Sequence, residues 1–183
     1  KIVKLLLDQG ADMEVKALKI EVTPLWIASQ NGHAKIVKLL LDQGADMEAK
    51  DTPDGTTALW IASKKGHTEL VKLLLDKGAE VDVKRKDDNV TPLLMASFNG
   101  HSEIVKLLLD HGADMEVKES KHEVTPLWIA SLKGHTEVVK LLLNKGAKVN
   151  IKDKRDGVTA LMKARQNGYK KIVNLLIENG AKE

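Results

Sequence analysis

The sequence predicts an all-α fold, a solenoid of stacked helix–turn–helix units connected by β-turn fingers. Three observations support this prediction: a motif that recurs with a fixed period, two helical patterns in each copy, and a turn-rich segment between copies. The stretch from Thr125 to Gly146, TPLWIASLKGHTEVVKLLLNKG, represents one unit, and its threonine, glycines and histidine recur every 34 residues. A period of about 20 to 50 residues is typical of arrays in which each unit packs on its neighbours.

The first helix of each unit begins at a threonine that can cap its N-terminus. These threonines are Thr23, Thr57, Thr91, Thr125 and Thr159. Proline often follows, at the first helical position, where a missing N–H group costs nothing. In the first full unit, Leu25 and Ala28 share one helix face. We expect Gly32 to end this helix in the left-handed conformation that glycine tolerates.

The second helix is expected from about Ala34 to Gln43, before Gly44. Its apolar residues cover more than one face, because one side meets the partner helix and the flanks meet adjacent units. Each leucine that is buried there contributes roughly 1.5–3 kcal/mol. Lysine and aspartate four residues apart predict a solvated outer stripe of weak ion pairs. The pairs are Lys38 with Asp42, Lys72 with Asp76, and Lys106 with Asp110.

A turn-rich segment such as Gly44 to Thr56 separates successive units and predicts a hairpin-like finger. Asp54-Gly55, Asp88-Asn89 and Asp156-Gly157 are tight-turn signals, because glycine and asparagine accept the positive φ that such turns need. The first and fourth fingers lack this signal, so we expect their tips to turn differently.

Together these patterns resemble the ankyrin repeat, whose signature is T-P-L-H-x-A within a β-turn and two helices. The matching stretches are TPLWIAS from Thr23 to Ser29, the Gly32-His33 pair, and VKLLLDQGAD from Val37 to Asp46. The resemblance covers the whole chain in register. It implies an ankyrin-repeat solenoid with the architecture predicted above.

The sequence departs from the family pattern in two respects. The family period is about 33 residues, and here one extra residue lengthens each finger. The histidine of the motif is also replaced, by Trp26, Trp60, Leu94, Trp128 and Met162. We expect the tryptophans to fill the seam between units with apolar area, their indole N–H groups reaching a carbonyl.

The repeat pattern predicts a single domain. It spans 1–183 and comprises a partial first repeat (1–22), full repeats that start near residues 23, 57, 91 and 125, and a C-terminal capping repeat (159–183). Added polar residues in the last unit, such as Lys163 and Arg165, favour a cap. At the other end Ile2, Val3 and Leu6 would be bare. We therefore expect the natural protein to continue upstream, or a partner or second copy to cover this face.

Composition and motifs exclude several classes of function. No cysteine is present, so no disulfide and no cysteine-based metal site or nucleophile can form. This absence favours a reducing, cytoplasmic location. No apolar run approaches the roughly 18 residues of a membrane span, so we predict no membrane insertion. The chain has no phosphate-binding loop, zinc-hydrolase motif or Ser-His-Asp arrangement. We therefore predict that it is not an enzyme and holds no cofactor or metal.

Histidines and charges follow the repeat. One histidine per layer recurs at His33, His67, His101 and His135, and layers about 8–10 Å apart are too distant for shared zinc ligation. These histidines are therefore predicted to be structural. A lysine row (Lys16, Lys50, Lys84, Lys118, Lys152) runs beside an acidic row (Glu14, Glu48, Asp82, Glu116). The two rows largely cancel, which predicts a solvated charge lattice and no nucleic-acid binding.

The copies differ from one another at the finger tips and at the ends of the first helices. The resemblance implies that these regions form a concave surface that contacts a partner. The predicted partner-binding residues are Leu18, Ile20, Gln30, Thr52, Lys64, Arg85, Lys86, Phe98, Ser120, His122, Leu132, Lys154 and Arg155. Phe98 and Leu132 are apolar at a position that is otherwise polar, which indicates exposed anchors.

The sequence therefore predicts a non-catalytic scaffold, expected to be monomeric, that binds a partner protein through this surface. One alternative is a structural spacer, or a targeting segment of a larger protein, that associates end to end through its N-terminal face. The close similarity of the repeats also leaves an engineered origin open, although the irregular finger tips favour a natural one.

Overall fold

A computed structural model describes residues 2–15, 22–51 and 53–182, without the side chains of Ile2 and Val3. These residues form eleven helices: α1 (Ile2–Asp8), α2 (Pro24–Gln30), α3 (Ala34–Asp42), α4 (Ala58–Lys65), α5 (Thr68–Asp76), α6 (Pro92–Asn99), α7 (Ser102–Asp110), α8 (Pro126–Lys133), α9 (Thr136–Asn144), α10 (Ala160–Gln166) and α11 (Lys170–Glu178).

The helices stack in two layers. The first helices α2, α4, α6, α8 and α10 pack on one another in order, and the second helices α3, α5, α7, α9 and α11 form a parallel row. Each first helix also packs against the second helix of its own unit. The described segments contain no β-strand, but isolated antiparallel bridges join Asp51 to Thr56 and Lys152 to Thr159 in the fingers. The predicted all-α solenoid is confirmed.

Threonine caps start the first helices as the sequence predicts. In all five described first helices, the Oγ1 atom of the cap threonine accepts a hydrogen bond, 3.3 Å long, from the backbone N–H three residues later. Because the cap residues are extended, each helix begins with an abrupt change of direction. This fixes the angle at which the finger meets the helix.

A single hydrophobic core runs through the stack from Leu25 to Leu176. Leu74 of α5 and Leu108 of α7 are completely buried between neighbouring units. Ala96 of α6 is equally inaccessible, and its small side chain lets neighbouring first helices approach closely. Leu7 and Met13 extend this core to α1.

A smaller apolar cluster joins the fingers to the first helices. It comprises Val22, Trp26, Trp60 and Ile61, with Val90 and Met95 partly buried against them. The indole Nε1 atoms of Trp60 and Trp128 donate to carbonyls in the following finger at 2.9 Å. The predicted role of the tryptophans is confirmed at these positions, whereas Trp26 donates to the Thr56 hydroxyl at 3.1 Å.

The tip of the fourth finger corrects the sequence-based expectation. The third finger places Asn89 at φ 58°, and Glu123, its equivalent in the fourth, has φ 54° although it is not glycine or asparagine. The fourth tip therefore turns as the second, third and fifth tips do, where Gly55, Asn89 and Gly157 have positive φ. The reason is that neighbouring tips are tied together, because Ser120 N donates to Asp88 O and Lys154 N to His122 O. The positive φ is a local strain that the surroundings hold in place. The tip of the first finger, which the sequence also predicts to turn differently, lies outside the described residues.

The sequence predicts that the acidic row forms only a solvated charge lattice. In the structure, its carboxylates also accept hydrogen bonds from the backbone of the next unit. The Glu48 carboxylate accepts the backbone N–H of Glu80 at 2.8 Å, and Glu116 accepts that of Lys148 at the same distance. Each acidic residue thus binds the loop of the next unit. Burial raises the pKa of Asp82, the member of the row that binds Asp114.

The outer lysine–aspartate pairs also differ from the prediction. Of the three predicted pairs, the described residues show an ion pair only between Lys38 and Asp42, at 2.7 Å. Asp42 is also bound by Lys77 at 2.9 Å, and Asp110 by Lys145 at 2.7 Å. These lysines belong to the next unit, so the outer charges connect neighbouring units as well as the two residues of α3.

The histidine row holds the ends of the first helices. The Nε2 atom of His67 donates to Gln30 O at 2.9 Å, and that of His135 donates to Phe98 O at 3.0 Å. Both rings lie against the glycine that ends the preceding first helix. A Cβ on Gly100 would approach His135 Nδ1 to 2.6 Å. The predicted structural role is confirmed for these two histidines, and the contact fixes the position of Phe98 at the end of α6.

Candidate functional site

One groove of about 420 Å³ lies between the fourth and fifth fingers and the first helices beneath them. Its lining residues come from α6, α8, α10 and the two fingers. They are Phe98, Glu119, His122, Val124, Trp128, Ile129, Leu132, Asp153, Arg155, Asp156 and Lys163. Ligand-binding clefts commonly have volumes of about 300–1,000 Å³. The groove is therefore large enough to accept one or two side chains of a partner.

Beside Trp128, the array lacks two side chains that cover the ring of the equivalent tryptophan, Trp60. Their absence leaves room for the groove. Two units earlier, the Arg85 guanidinium lies 5.3 Å and the Lys64 ammonium 5.5 Å from the centroid of the Trp60 ring. Their equivalents beside Trp128 are Asp153 and Leu132. Aspartate is too short to cover an indole ring, and leucine adds apolar surface. The two cations that cover Trp60 are thus absent at Trp128, whose ring is contacted by Lys163 instead and is 8% exposed.

Phe98 and Leu132 form the apolar side of the groove. Phe98 is 42% exposed although it is a large aromatic residue. Leu132, its equivalent one unit later, is half-buried. The Lys133 ammonium lies 4.2 Å from the centroid of the Phe98 ring, in a cation–π contact that leaves much of the ring accessible. Exposed aromatic and aliphatic groups next to charges are typical of interaction sites.

The two most buried carboxylates of the groove are already bound by backbone groups. The Glu119 carboxylate accepts the N–H groups of Lys121 and His122, and its side chain is 11% exposed. The Asp153 carboxylate accepts the N–H of Asp156 at 2.9 Å and that of Val158 at 3.1 Å. Burial alone would raise the pKa of Asp153, but these N–H donors outweigh burial and lower it. Both carboxylates serve to shape the finger tips.

The basic side chains of the groove are more accessible. The side chain of Arg155 is 73% exposed, and its Nε atom lies 3.8 Å from the Asp156 carboxylate. Lys163 lies over Trp128, 5.9 Å from the ring centroid, and donates to the neutral Gln166 side chain at 3.0 Å. Lys154 and Glu123 form an ion pair of 3.2 Å at the rim. A ligand that enters the groove therefore meets apolar surface and cations.

The comparison with protein families decides where this fold belongs. The model of ankyrin repeats, which describes three copies, matches residues 1–87, 25–119 and 93–183. The chain belongs to the ankyrin repeat family. Ankyrin repeats generally mediate protein–protein interaction and are typically non-catalytic. No match to this ankyrin repeat chain was found among curated proteins.

The structure brings four of the predicted binding residues of this ankyrin array into the groove. They are Phe98, His122, Leu132 and Arg155. The other residues that line the groove are not among the binding residues predicted from the sequence. Trp128 and Ile129 belong to the repeated motif, so their own identity does not predict whether a partner can reach them. The signal that could have identified them is the replacement, at positions 132 and 153, of the Lys and Arg that cover Trp60.

The remaining predicted residues lie outside the groove. Lys64 and Arg85 cover Trp60, and Gln30 is half-buried at the end of α2. Lys86, Ser120 and Lys154 have exposed side chains, and their backbone N–H groups tie one finger to the preceding one. Three predicted residues lie outside the described residues, and these are Leu18, Ile20 and Thr52.

The described part of this ankyrin chain shows neither a metal-binding cluster nor a membrane-spanning helix. Among those residues, no group of three or more histidine, aspartate or glutamate side chains could hold a metal ion. No helix found there combines the length and apolar character needed to cross a membrane.

Proposed function

We propose that this ankyrin repeat chain is a non-catalytic scaffold that binds a partner protein, with the groove at Phe98 and Leu132 as the centre of its binding surface. The observation that carries this proposal is the accessible apolar surface at a position that is polar in the other units. Apolar side chains in a pocket surrounded by polar groups are typical of binding hot spots. The comparable ring of Trp60 is covered by the cations Lys64 and Arg85.

The wider binding surface comprises the finger tips and the ends of the first helices, which would form the concave face of the array. Gln30, Lys64, Lys86 and Ser120 would contribute its polar rim, since rim contacts are generally polar and weak. Leu18, Ile20 and Thr52 are proposed for the same rim from the sequence. The capping role of the last repeat and the cytoplasmic location stay predictions.

The test is affinity capture with paired variants of the full chain. Phe98→Asp/Leu132→Asp places two charges in the groove, and Leu5→Asp/Leu6→Asp places the same charges on two leucines of α1 that are 63% and 54% exposed. If the groove is the binding surface, the first variant loses the captured protein and the second retains it. Retention by the first variant, with thermal unfolding showing both variants folded, contradicts the proposal.

The same variants examine the alternative of end-to-end self-association. Leu5, Leu6 and Val15 are exposed apolar residues in the described part of the first unit, and they are the observation that favours this alternative. Sedimentation velocity would then show oligomers of the unaltered chain that Leu5→Asp/Leu6→Asp dissociates. A monomer at all concentrations supports partner binding through the finger tips instead.

A further inference from the structure

We propose that the groove accepts an extended segment of the partner in which an apolar side chain is flanked by aspartate or glutamate residues. This inference rests on the proposed function and specifies the chemistry of the partner. Two independent features of the groove support it: the shape of its apolar floor and the unequal accessibility of its positive and negative charges.

The apolar floor fits a single large side chain. Phe98 and Leu132 stand on one side, and Trp128 and Ile129 form the base. A volume of about 420 Å³ leaves room for one aromatic or branched aliphatic side chain together with part of the backbone that carries it. Burying such a side chain stabilises a complex by roughly 1.5–3 kcal/mol. The apolar residue of the partner is therefore the anchor.

Accessible charge favours an acidic partner. The carboxylates of Glu119 and Asp153 accept hydrogen bonds from backbone N–H groups of their own fingers and lie among buried residues. A cation of a partner would therefore compete with backbone donors for these two carboxylates. Near the groove, Glu123 is paired with Lys154. Asp156 is 60% exposed and lies 3.8 Å from Arg155, so among the described lining residues it is the accessible carboxylate that opposes an acidic partner, against the cations Arg155 and Lys163.

The cations, in contrast, have weak contacts. Arg155 has its Nε atom 3.8 Å from Asp156, which is long for an ion pair. Lys163 hydrogen-bonds to a neutral amide, and Lys133 contacts the Phe98 ring. Arg155 and Lys163 line the groove from the fifth finger and from α10, and Lys133 reaches the Phe98 ring from the end of α8. A carboxylate on either side of the anchor residue would therefore gain charge-assisted hydrogen bonds.

A nucleic acid fits this arrangement less well, although it is also anionic. Single strands bind through aromatic platforms on which successive bases stack. The chain has one Phe and one Tyr, and its three Trp residues use their faces in the seam between fingers and helices. Among the described residues that line the groove, the exposed rings are those of Phe98 and His122, which is a small platform for the stacking of successive bases.

The experiment is a selection of displayed random twelve-residue peptides on the intact chain. We expect the selected peptides to share an apolar residue next to Asp or Glu. A synthetic copy of the most enriched peptide should bind at least tenfold more weakly to Phe98→Asp, and added salt should weaken its binding. The control is Gln30→Asp, which changes the equivalent position at the end of α2. This variant should bind the peptide with the same affinity as the unaltered chain.

A charge exchange tests the electrostatic part separately. Arg155→Glu/Lys163→Glu should lose the acidic peptide and bind a copy in which lysine replaces each acidic residue. Because Lys163 also contacts Trp128, the milder Arg155→Gln, at an exposed position, provides a second variant that keeps the fold. We expect Arg155→Gln to weaken the binding of the acidic peptide less than the double charge reversal does.

The possible failures can be told apart. Selected peptides that require Phe98 but are neutral or basic overturn the acidic chemistry and leave the proposed function standing. Peptides that bind equally well to Phe98→Asp, or the recovery of no peptide, contradict both. A twelve-nucleotide oligo-uridine that displaces the selected peptide in a Phe98-dependent manner overturns the inference in favour of nucleic acid.

Discussion

At the scale of single residues, the glycines that end the first and the second helices have different roles. Gly78, at the end of a second helix, and Gly100, at the end of a first helix, both have positive φ, 89° and 75°. A Cβ on Gly78 meets no atom within 4 Å, whereas a Cβ on Gly100 would meet the His135 ring. Gly78 is required by its backbone conformation alone, whereas Gly100 is also required by its close packing against the His135 ring.

We therefore predict that Gly78→Ala lowers the free energy of unfolding by about 1–2 kcal/mol, the cost of a left-handed L-residue. Gly100→Ala should lower it further, because the histidine ring must move and its hydrogen bond to Phe98 O is lost. Urea denaturation measures both. In a double-mutant cycle, His135→Ala should relieve part of the Gly100→Ala effect. Equal costs for the two alanine variants would show that the ring contact is unimportant.

The third finger carries an ion pair whose effect depends on pH. Hydrogen bonds from the Arg85 guanidinium lower the pKa of Asp88, and the backbone N–H of Val90 adds to this. A carboxylate with a lowered pKa in the folded state stabilises the protein above its unfolded pKa of about 3.9. That stabilisation is lost as the pH falls through the folded-state pKa.

We predict that Asp88→Asn is less stable than the unaltered chain at pH 7 and that the difference shrinks progressively below about pH 4. Thermal unfolding across this range measures the effect, with Asp87→Asn, at an exposed neighbouring position, as the control. A difference between Asp88→Asn and the unaltered chain that stays constant down to pH 2 would mean that the pair with Arg85 contributes nothing.

At the scale of elements, the second helices supply the central packing. Leu74 is fully buried, so Leu74→Ala should lower the free energy of unfolding by about 2–5 kcal/mol through lost burial and a residual cavity. Lys72→Ala, on the exposed side of the same helix, should change it little. Urea denaturation distinguishes the two, and hydrogen exchange should show the largest loss of protection in adjacent units. An unchanged midpoint for Leu74→Ala would contradict this packing.

The acidic row makes a prediction about the loops between units. Glu116→Ala removes the acceptor of the Lys148 N–H group, so exchange of that amide should accelerate by an amount equivalent to about 0.5–1.5 kcal/mol. Glu103→Ala, an exposed residue in the first turn of α7, should leave it unchanged. Equal exchange at Lys148 in both variants would show that the carboxylate only interacts with solvent.

The elements themselves could be predicted because local chemistry determines them. Threonine caps, terminal glycines and apolar periodicity located the helices within one or two residues. The turn at Glu123 could not be predicted, because its conformation is imposed by hydrogen bonds from the adjacent fingers and not by its own preference. The carboxylate contacts of Glu48 and Glu116 likewise join residues 32 positions apart, which only stacking brings together.

At the scale of the whole molecule, the sequence located the finger tips and first-helix ends but not the groove within them. Phe98 and Leu132 could be found because they interrupt a polar register position. The groove beside Trp128 could not be found, because it depends on the reach of Asp153 compared with Arg85 and on how completely a finger covers the helix beneath. Accessibility is a property of neighbouring units together, whereas the repeat pattern describes each unit alone.

Hydrogen exchange of the chain with and without its captured partner tests the central claim, that recognition occurs at the groove, most directly. The account predicts slower exchange on binding at residues 119–124 and 153–158 and at the C-terminal ends of α6 and α8. The second helices α5, α7 and α9 should be unaffected. Protection concentrated on those second helices or on α1, with none in the fourth and fifth fingers, would contradict the account.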